Sequence, residues 1–379
     1  MRIRRLSAIA VLFCTAGAAA AAGSAAIMPL PRAAPESVGL SAARLRTMSE
    51  FFRIEASRHT APGYVLMVAR GGKLVAASAV GYRNIAQRLP MTLDTRFRIA
   101  SMSKPITAVA VLMLYEEGRF QLDDPLARFL PEFAHPQVFT GVGAKGEITT
   151  EPATRDITIR DLLTQTSGLG YLPGFDTKTP LAKVYGALKL DPHASLADTV
   201  RRIAAMPLYF QPGQGWRYSY ADDVLGRLVE VVSGMPLPQF LSERIFSPLK
   251  MNATGFYLPP STAPMLATMY KPDGEGGLTV SHANWITDPT DAKLWPSGVG
   301  VEIDALHAPQ ADFNGDYSWG GIFGTEWLAS PRTGIVAVLM TQIDPTGNSI
   351  RLRTDVDFQN LLFAAVRDLG PPTPGGEAR

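Results

Sequence analysis

Cysteine is nearly absent from this 379-residue sequence; the single one, Cys14, lies in the first apolar stretch. Disulfides, a cysteine nucleophile and cysteine-ligated zinc are therefore excluded downstream of it. Histidine is scarce as well. The five histidines are scattered, with no His-Glu-x-x-His and no other metal-ligand spacing, and no cofactor is expected. After the N-terminus no segment is long and apolar enough to span a bilayer, and no basic stripe suits nucleic acid. The Gly-x-Ser-x-Gly turn of the α/β-hydrolases is lacking too. Its nearest approach, Gly347-Asn348-Ser349-Ile350-Arg351, has no second glycine.

What is present begins with a leader. MRIRR is a positive segment, LSAIAVLFCTAG an apolar one, and the alanine run to Ala26 offers small-x-small cleavage sites. Residues 1–26 therefore read as a signal peptide for export to the periplasm or medium, and Arg4-Arg5 also fits a twin-arginine signal. Phe13 is too bulky to precede a lipidated Cys14. Removing Arg2, Arg4 and Arg5 leaves 33 basic against 34 acidic residues, so the slight net positive charge belongs to the leader. With 46% hydrophobic and 18% charged residues, the remainder suits a globular protein with substantial cores.

Residues 63–81, GYVLMVARGGKLVAASAVG, read as two strands around a Gly71-Gly72 turn. A helix is expected from about Ser101 to Glu117, stopped by Gly118. Another is expected over 221–234, with Val224, Leu225, Leu228 and Val231 as its apolar stripe. The C-terminal part returns to strands, SWGGIFGTEWLAS and IVAVLMTQ around a Pro331–Gly334 turn, followed by a helix over 354–368. Strands at both ends with helices between them imply one α/β domain built from 27–121 and 309–370. A mostly helical domain, 122–308, is inserted in it. Residues 371–379, PPTPGGEAR, read as a disordered tail.

The candidate chemistry lies in RFRIASMSKPITAVAVLML, residues 96–114. Ser-x-x-Lys alone is weak, since a chain this long should hold roughly one or two by chance. A second copy, Ser247 to Lys250, sits in a proline-containing loop and reads as solvated. Ser101 and Lys104 differ in opening a helix whose body, Ile106 to Leu114, is almost wholly apolar. At i,i+3 their side chains face the same way. The Ser101 amide, at a helix N-terminus, can donate to a developing oxyanion, and Pro105 is tolerated in the first turn. The bland alternative is an N-cap serine beside a surface lysine.

Downstream segments favour the catalytic reading. WRYSYADDVLG (216–226), SWGGIFGT (318–325), LLTQTSGLGY (162–171) and IFSPLKMNATGF (245–256) accompany SMSK. Together they resemble the serine β-lactamase and penicillin-binding superfamily, its class C-like branch, and most of all the family VIII carboxylesterases, from about residue 34 to 368. The resemblance implies a β-lactamase-like fold, an antiparallel sheet flanked by helices. It implies Ser101 as nucleophile, with Lys104 and Tyr218 taking its proton and later activating water. It also implies the Ile322 amide as second oxyanion donor, and Tyr220, Trp319, Gly320 and Gly321 as substrate-binding positions. A serine hydroxyl needs an adjacent base, and no motif places a histidine to supply one. Burial beside other cations would leave Lys104 neutral, whereas a charged Lys104 would favour an ionised Tyr218.

Two lactam-recognising groups are replaced. Trp319 stands where the family's Lys-Thr-Gly strand has its lysine, and a tryptophan cannot grip a carboxylate. Tyr220 replaces the asparagine of Tyr-x-Asn. Small neutral esters, cleaved through an acyl-enzyme, are therefore the expected substrates. A β-lactam or D-peptide amide hydrolase, an acyltransferase and a non-catalytic penicillin-recognising protein remain as alternatives. One departure weighs toward the last. Only about twenty residues separate Pro296-Ser297-Gly298 from Trp319, where the family carries several dozen more.

Overall fold

The computed structural model describes residues 30–171, 179–188, 190–191, 193–282, 315–344 and 350–368. The expected leader, the tail and the shortened stretch that follows Gly298 lie wholly or largely outside the described residues.

Among the described residues six strands form one antiparallel sheet. β1 (Gly63–Arg70), β2 (Lys73–Asn84) and β3 (Leu89–Pro90) come from the N-terminal part. Two hairpins, β4 (Gln137–Val142) with β5 (Ile148–Pro152) and β6 (Tyr270–Pro272) with β7 (Leu278–Val280), lie outside this sheet. β8 (Tyr317–Gly321), β9 (Thr325–Ser330) and β10 (Ile335–Met340) complete it. The order β3-β2-β1-β10-β9-β8 places β1 directly against β10, so the two ends of the chain share one sheet. The β1–β2 turn is Gly71-Gly72, both at positive φ, which a tight hairpin requires and other residues resist. The expected SWGGIFGTEWLAS strand is two strands. Gly324, at φ +83, turns the chain between β8 and β9.

The helices are α1 (Ala42–Ser57), α2 (Lys104–Glu116), α3 (Ile159–Leu163), α4 (Pro180–Ala187), α5 (Leu196–Ala204), α6 (Ala221–Ser233), α7 (Leu237–Leu241) and α8 (Ile350–Phe363). Among the described residues, buried apolar side chains form two clusters. One joins Leu45, Met48 and Phe52 of α1 with Phe358 and Leu362 of α8 and with Leu66, Leu328 and Leu339 of the sheet. The other is helical and gathers Val111 and Leu114 of α2, Leu162 of α3, Val200 of α5 and Leu228 of α6. Helix α2 is thus the apolar shaft foreseen, except that Val109 is exposed. α6 contacts α2, α3, α5 and α7, so it buries a broad arc rather than a single stripe. Val229 is buried, and Val231, expected inside, is 38% exposed in the last turn. The last helix begins at Ile350, four residues before its expected start, and ends at Phe363. The β4–β5 and β6–β7 hairpins, not foreseen, interrupt a stretch whose other described elements are helical. Their side chains are largely exposed, so no apolar alternation announced them. Among the described residues no helix is long and apolar enough to cross a membrane.

Candidate active site

The segment entering α2 is held before its side chains do anything. The Arg98 N–H donates to Gln342 Oε1 at 2.7 Å, and Gln342 Nε2 donates back to the Arg98 carbonyl at 3.1 Å. Gln342, just beyond β10, is fully buried, so its amide acts as a short piece of strand pairing. The next carbonyl, Ile99, accepts from Met102 N–H at 2.9 Å and from Thr325 Oγ1 at 3.3 Å. Between these restraints Ala100 adopts φ +43. A non-glycine residue stays in that region only where its surroundings over-determine it. Ser101 follows in a 3-10 turn, Ala100–Ser103, that runs into α2 at Lys104. Side chains three apart eclipse in such a turn, which aims Ser101 and Lys104 the same way.

Ser101 Oγ and Tyr218 Oη are hydrogen bonded at 2.8 Å. Lys104 Nζ donates to Asp222 Oδ2 at 2.8 Å, and both side chains are wholly buried. The ammonium also lies 4.7 Å from the Tyr218 ring centroid and 5.7 Å from that of Tyr171. Burial works to strip the proton from Lys104. The Asp222 carboxylate, with Tyr218 and Tyr171 beyond it, outweighs burial, and the net displacement is upward. Of the two charge states left open by the sequence, the surroundings favour the charged one: the close neighbour of Lys104 is an acid, not a second cation. Burial pushes the Asp222 carboxyl up to about 6, against the opposing pull of Lys104 and Gln165. The contact is that of a charged pair, an ammonium donating to a carboxylate. Tyr171 is raised far above the ordinary phenol range by burial and stays neutral.

Trp319 of β8 lies nearly parallel to Tyr218, at 6.2 Å between centroids and 13° between planes. Tyr171 meets Tyr218 edge-on at 5.0 Å. Ser101, Lys104, Tyr218 and Trp319 are thus brought together, from the 3-10 turn before α2, α2 itself, the loop before α6 and β8. Tyr220 is not on this open wall. It is only 4% exposed and packs on Tyr171, 4.9 Å away, within the helical core. Its side chain alternates inward where Tyr218 points outward.

Gly321 has a packing role as well. A Cβ there would run into the Ile99 carbonyl and Thr325 Oγ1. The glycine therefore admits the protein's own backbone, and it seats the end of β8, with Ile322 next in chain, against the lead-in to Ser101. Gly321→Ala is expected to lower stability by about 1–3 kcal/mol through overpacking and to displace Ser101; a melting scan with an ester assay checks both. Two participants escaped the sequence reading, Asp222 and Gln165. Among the described residues, no group of three or more His, Cys, Asp or Glu is placed to hold a metal ion.

A central antiparallel sheet flanked by helices, with a serine and a lysine at the head of a buried helix, defines a β-lactamase-like fold. The chain belongs to the Beta-lactamase family, which matches residues 46–292. That span includes Ser101, Lys104, Gln165, Tyr218 and Asp222 and stops short of Trp319. The chain is 41% identical over 218 residues to Protein Rv1367c of Mycobacterium tuberculosis, covering 57% of this chain and 53% of that protein. It is also 41% identical over 201 residues to Esterase EstB of Burkholderia gladioli, covering 51% and 47%. The matched regions thus span about half the length of these curated relatives. Among solved structures, EstCE1, described as a hydrolase with promiscuous acyltransferase activity, superposes with a TM-score of 0.69 at 26% identity. That match covers 85% of this chain and 99% of EstCE1. Unliganded simvastatin synthase LovD from Aspergillus terreus shares the fold, with a TM-score of 0.68 at 22% identity over 86% of this chain and 99% of that one.

Proposed function

We propose that this chain is a serine hydrolase that cleaves small carboxylic esters through an acyl-enzyme. The observation that carries the proposal is the 2.8 Å hydrogen bond between Ser101 and Tyr218, made beside a lysine that Asp222 keeps charged. With Tyr218 acting as the phenolate, Ser101 Oγ attacks the ester carbonyl while its proton passes to that phenolate oxygen. The Lys104 ammonium stabilises the negative charge that develops on these oxygens. The backbone amides of Ser101 and Ile322 receive the oxyanion. Collapse of the tetrahedral intermediate expels the alcohol, which takes the proton from Tyr218. Water then enters, gives a proton to Tyr218 and attacks the acyl carbon, and the acid leaves as Ser101 regains its hydrogen.

The relative named an esterase and the aromatic wall support an ester substrate. Trp319 covers Tyr218 where a lactam-binding lysine would stand, so this strand offers no cation to a substrate carboxylate. Acyl transfer to an alcohol uses the same intermediate, with the alcohol in place of water, and the acyltransferase activity in the description of EstCE1 makes it the second reading. The test is a panel of short-chain nitrophenyl esters run beside nitrocefin, with and without an added alcohol acceptor. Ester turnover at least tenfold faster than nitrocefin turnover is expected. Faster nitrocefin turnover overturns the ester assignment, and absence of any turnover leaves a penicillin-recognising scaffold.

A further inference from the structure

Gln165 belongs to LLTQTSGLGY, between α3 and the segment that carries Tyr171, and nothing in the proposed chemistry uses it. It is 1% exposed and adopts φ +58 as the left-handed residue that closes α3, where its own N–H donates to the Leu162 carbonyl at 3.2 Å and the Thr166 N–H donates to the Asp161 carbonyl at 2.8 Å. From that cap it also reaches residues on both sides of Tyr218. Its carbonyl accepts from Arg217 N–H at 2.9 Å. Its side-chain oxygen accepts from Ser219 Oγ at 2.8 Å, and Ser219 Oγ in turn accepts from Ala221 N–H at 3.1 Å. Its side-chain Nε2 donates to Asp222 Oδ2 at 2.9 Å, the oxygen that also takes the Lys104 proton donor. The amide cannot be reversed, because reversal would set its oxygen against a carboxylate and its NH₂ against the hydroxyl already donating.

We propose that Gln165 is a positioning residue: a one-way amide that locks the turn bearing Tyr218 to the Lys104–Asp222 pair, so that phenol and ammonium keep one register toward Ser101. Charged and titratable groups on the elements packed around it are Lys104 of α2, Asp161 of α3 (held by Arg155), Asp222 and Asp223 of α6, and Tyr171, Arg217 and Tyr218 on the adjoining loops. The kinetic part rests on the ester-hydrolase reading above.

Two variants of the full chain separate this role from simple packing. Gln165→Leu fills the space and removes both side-chain hydrogen bonds. The rate of Ser101 labelling by a fluorophosphonate is expected to fall on the order of 100-fold, the scale of a misplaced reacting group, with ester KM nearly unchanged. Gln165→Glu keeps the shape and makes the lock titratable. Protonated, the introduced carboxyl has one donor and one acceptor where the amide has them; ionised, it opposes Asp222. The ratio of its labelling rate to that of the wild type is expected to fall at least tenfold between pH 5 and pH 8. Beside Asp222 the introduced group has a folded-state pKa above its unfolded value, so the folded state binds more protons and stability drops as pH rises. Its melting-temperature deficit against the wild type should therefore widen over the same range.

A pH-independent ratio, or wild-type labelling by Gln165→Leu, overturns the proposal. Should the wild type itself resist labelling, the ester reading fails and the melting series decides: a widening deficit supports the lock, and a constant one overturns it.

Discussion

Ser101→Ala is expected to lower kcat/KM for a nitrophenyl ester by about 10⁴–10⁶-fold, the scale at which a lone serine nucleophile is lost, while the melting temperature stays within a degree or two. Both halves follow from the geometry. The hydroxyl is the atom that Tyr218 contacts at 2.8 Å, and among the described residues no other serine is hydrogen bonded to Tyr218. Structurally it is expendable. Ser101 is half-buried, its place in the chain is held by Arg98 and Ile99 backbone contacts, and Tyr218 Oη can turn to solvent. Tyr218→Phe tests the other end of the same bond. The ring keeps its stacking on Trp319 and loses only the oxygen, so a loss of about 10²–10⁴-fold is expected, the usual worth of a general base. A Ser101→Ala variant that hydrolyses esters at the wild-type rate would remove the nucleophile from the scheme, and labelling at a residue other than Ser101 would relocate it.

The parts that were legible in sequence are those that chemistry ties to local pattern. Gly71-Gly72 between two β-rich runs announced the hairpin at the centre of the sheet. SMSK opening an apolar helix announced the pair at the head of α2, and WRYSY announced Tyr218. The supporting shell was less visible because its members are common residues far apart in the chain. Gln165 and Asp222 are 57 residues from each other, and Lys104 is 118 from Asp222. A signal for Asp222 was nonetheless present. It lies three and seven residues before Leu225 and Val229, hence on the same buried side of α6, and an acid on a buried helix face demands a partner. Pairing it with the lone cation of an equally apolar helix would have predicted the ion pair, and with it the charged state of Lys104. The left-handed Gln165 had no such signal, since nothing in a glutamine's neighbours in sequence calls for φ +58.

Asp222→Asn is expected to destabilise the fold by about 3–5 kcal/mol, because it leaves a wholly buried ammonium without its counter-charge. It is also expected to abolish most ester turnover, since Lys104 would then shed its proton and stop supplying positive charge to Ser101 and Tyr218. The two effects separate in a second variant. Replacing both partners, Lys104→Met with Asp222→Leu, removes a buried pair rather than breaking it, and most of the lost stability should return, with no return of activity. Denaturant melts of the wild type and the two variants, read beside ester kinetics, check this directly. The pH profile gives an independent sign. Burial holds the Asp222 carboxyl at about 6, so acidification through that value neutralises it and releases Lys104 from its register. Wild-type kcat should therefore decline as pH falls through about 6. A double variant as inactive as expected but as unstable as Asp222→Asn would mean that the pair holds the fold together through its hydrogen bonds, and that the charge of Lys104 is not what this site was built to keep.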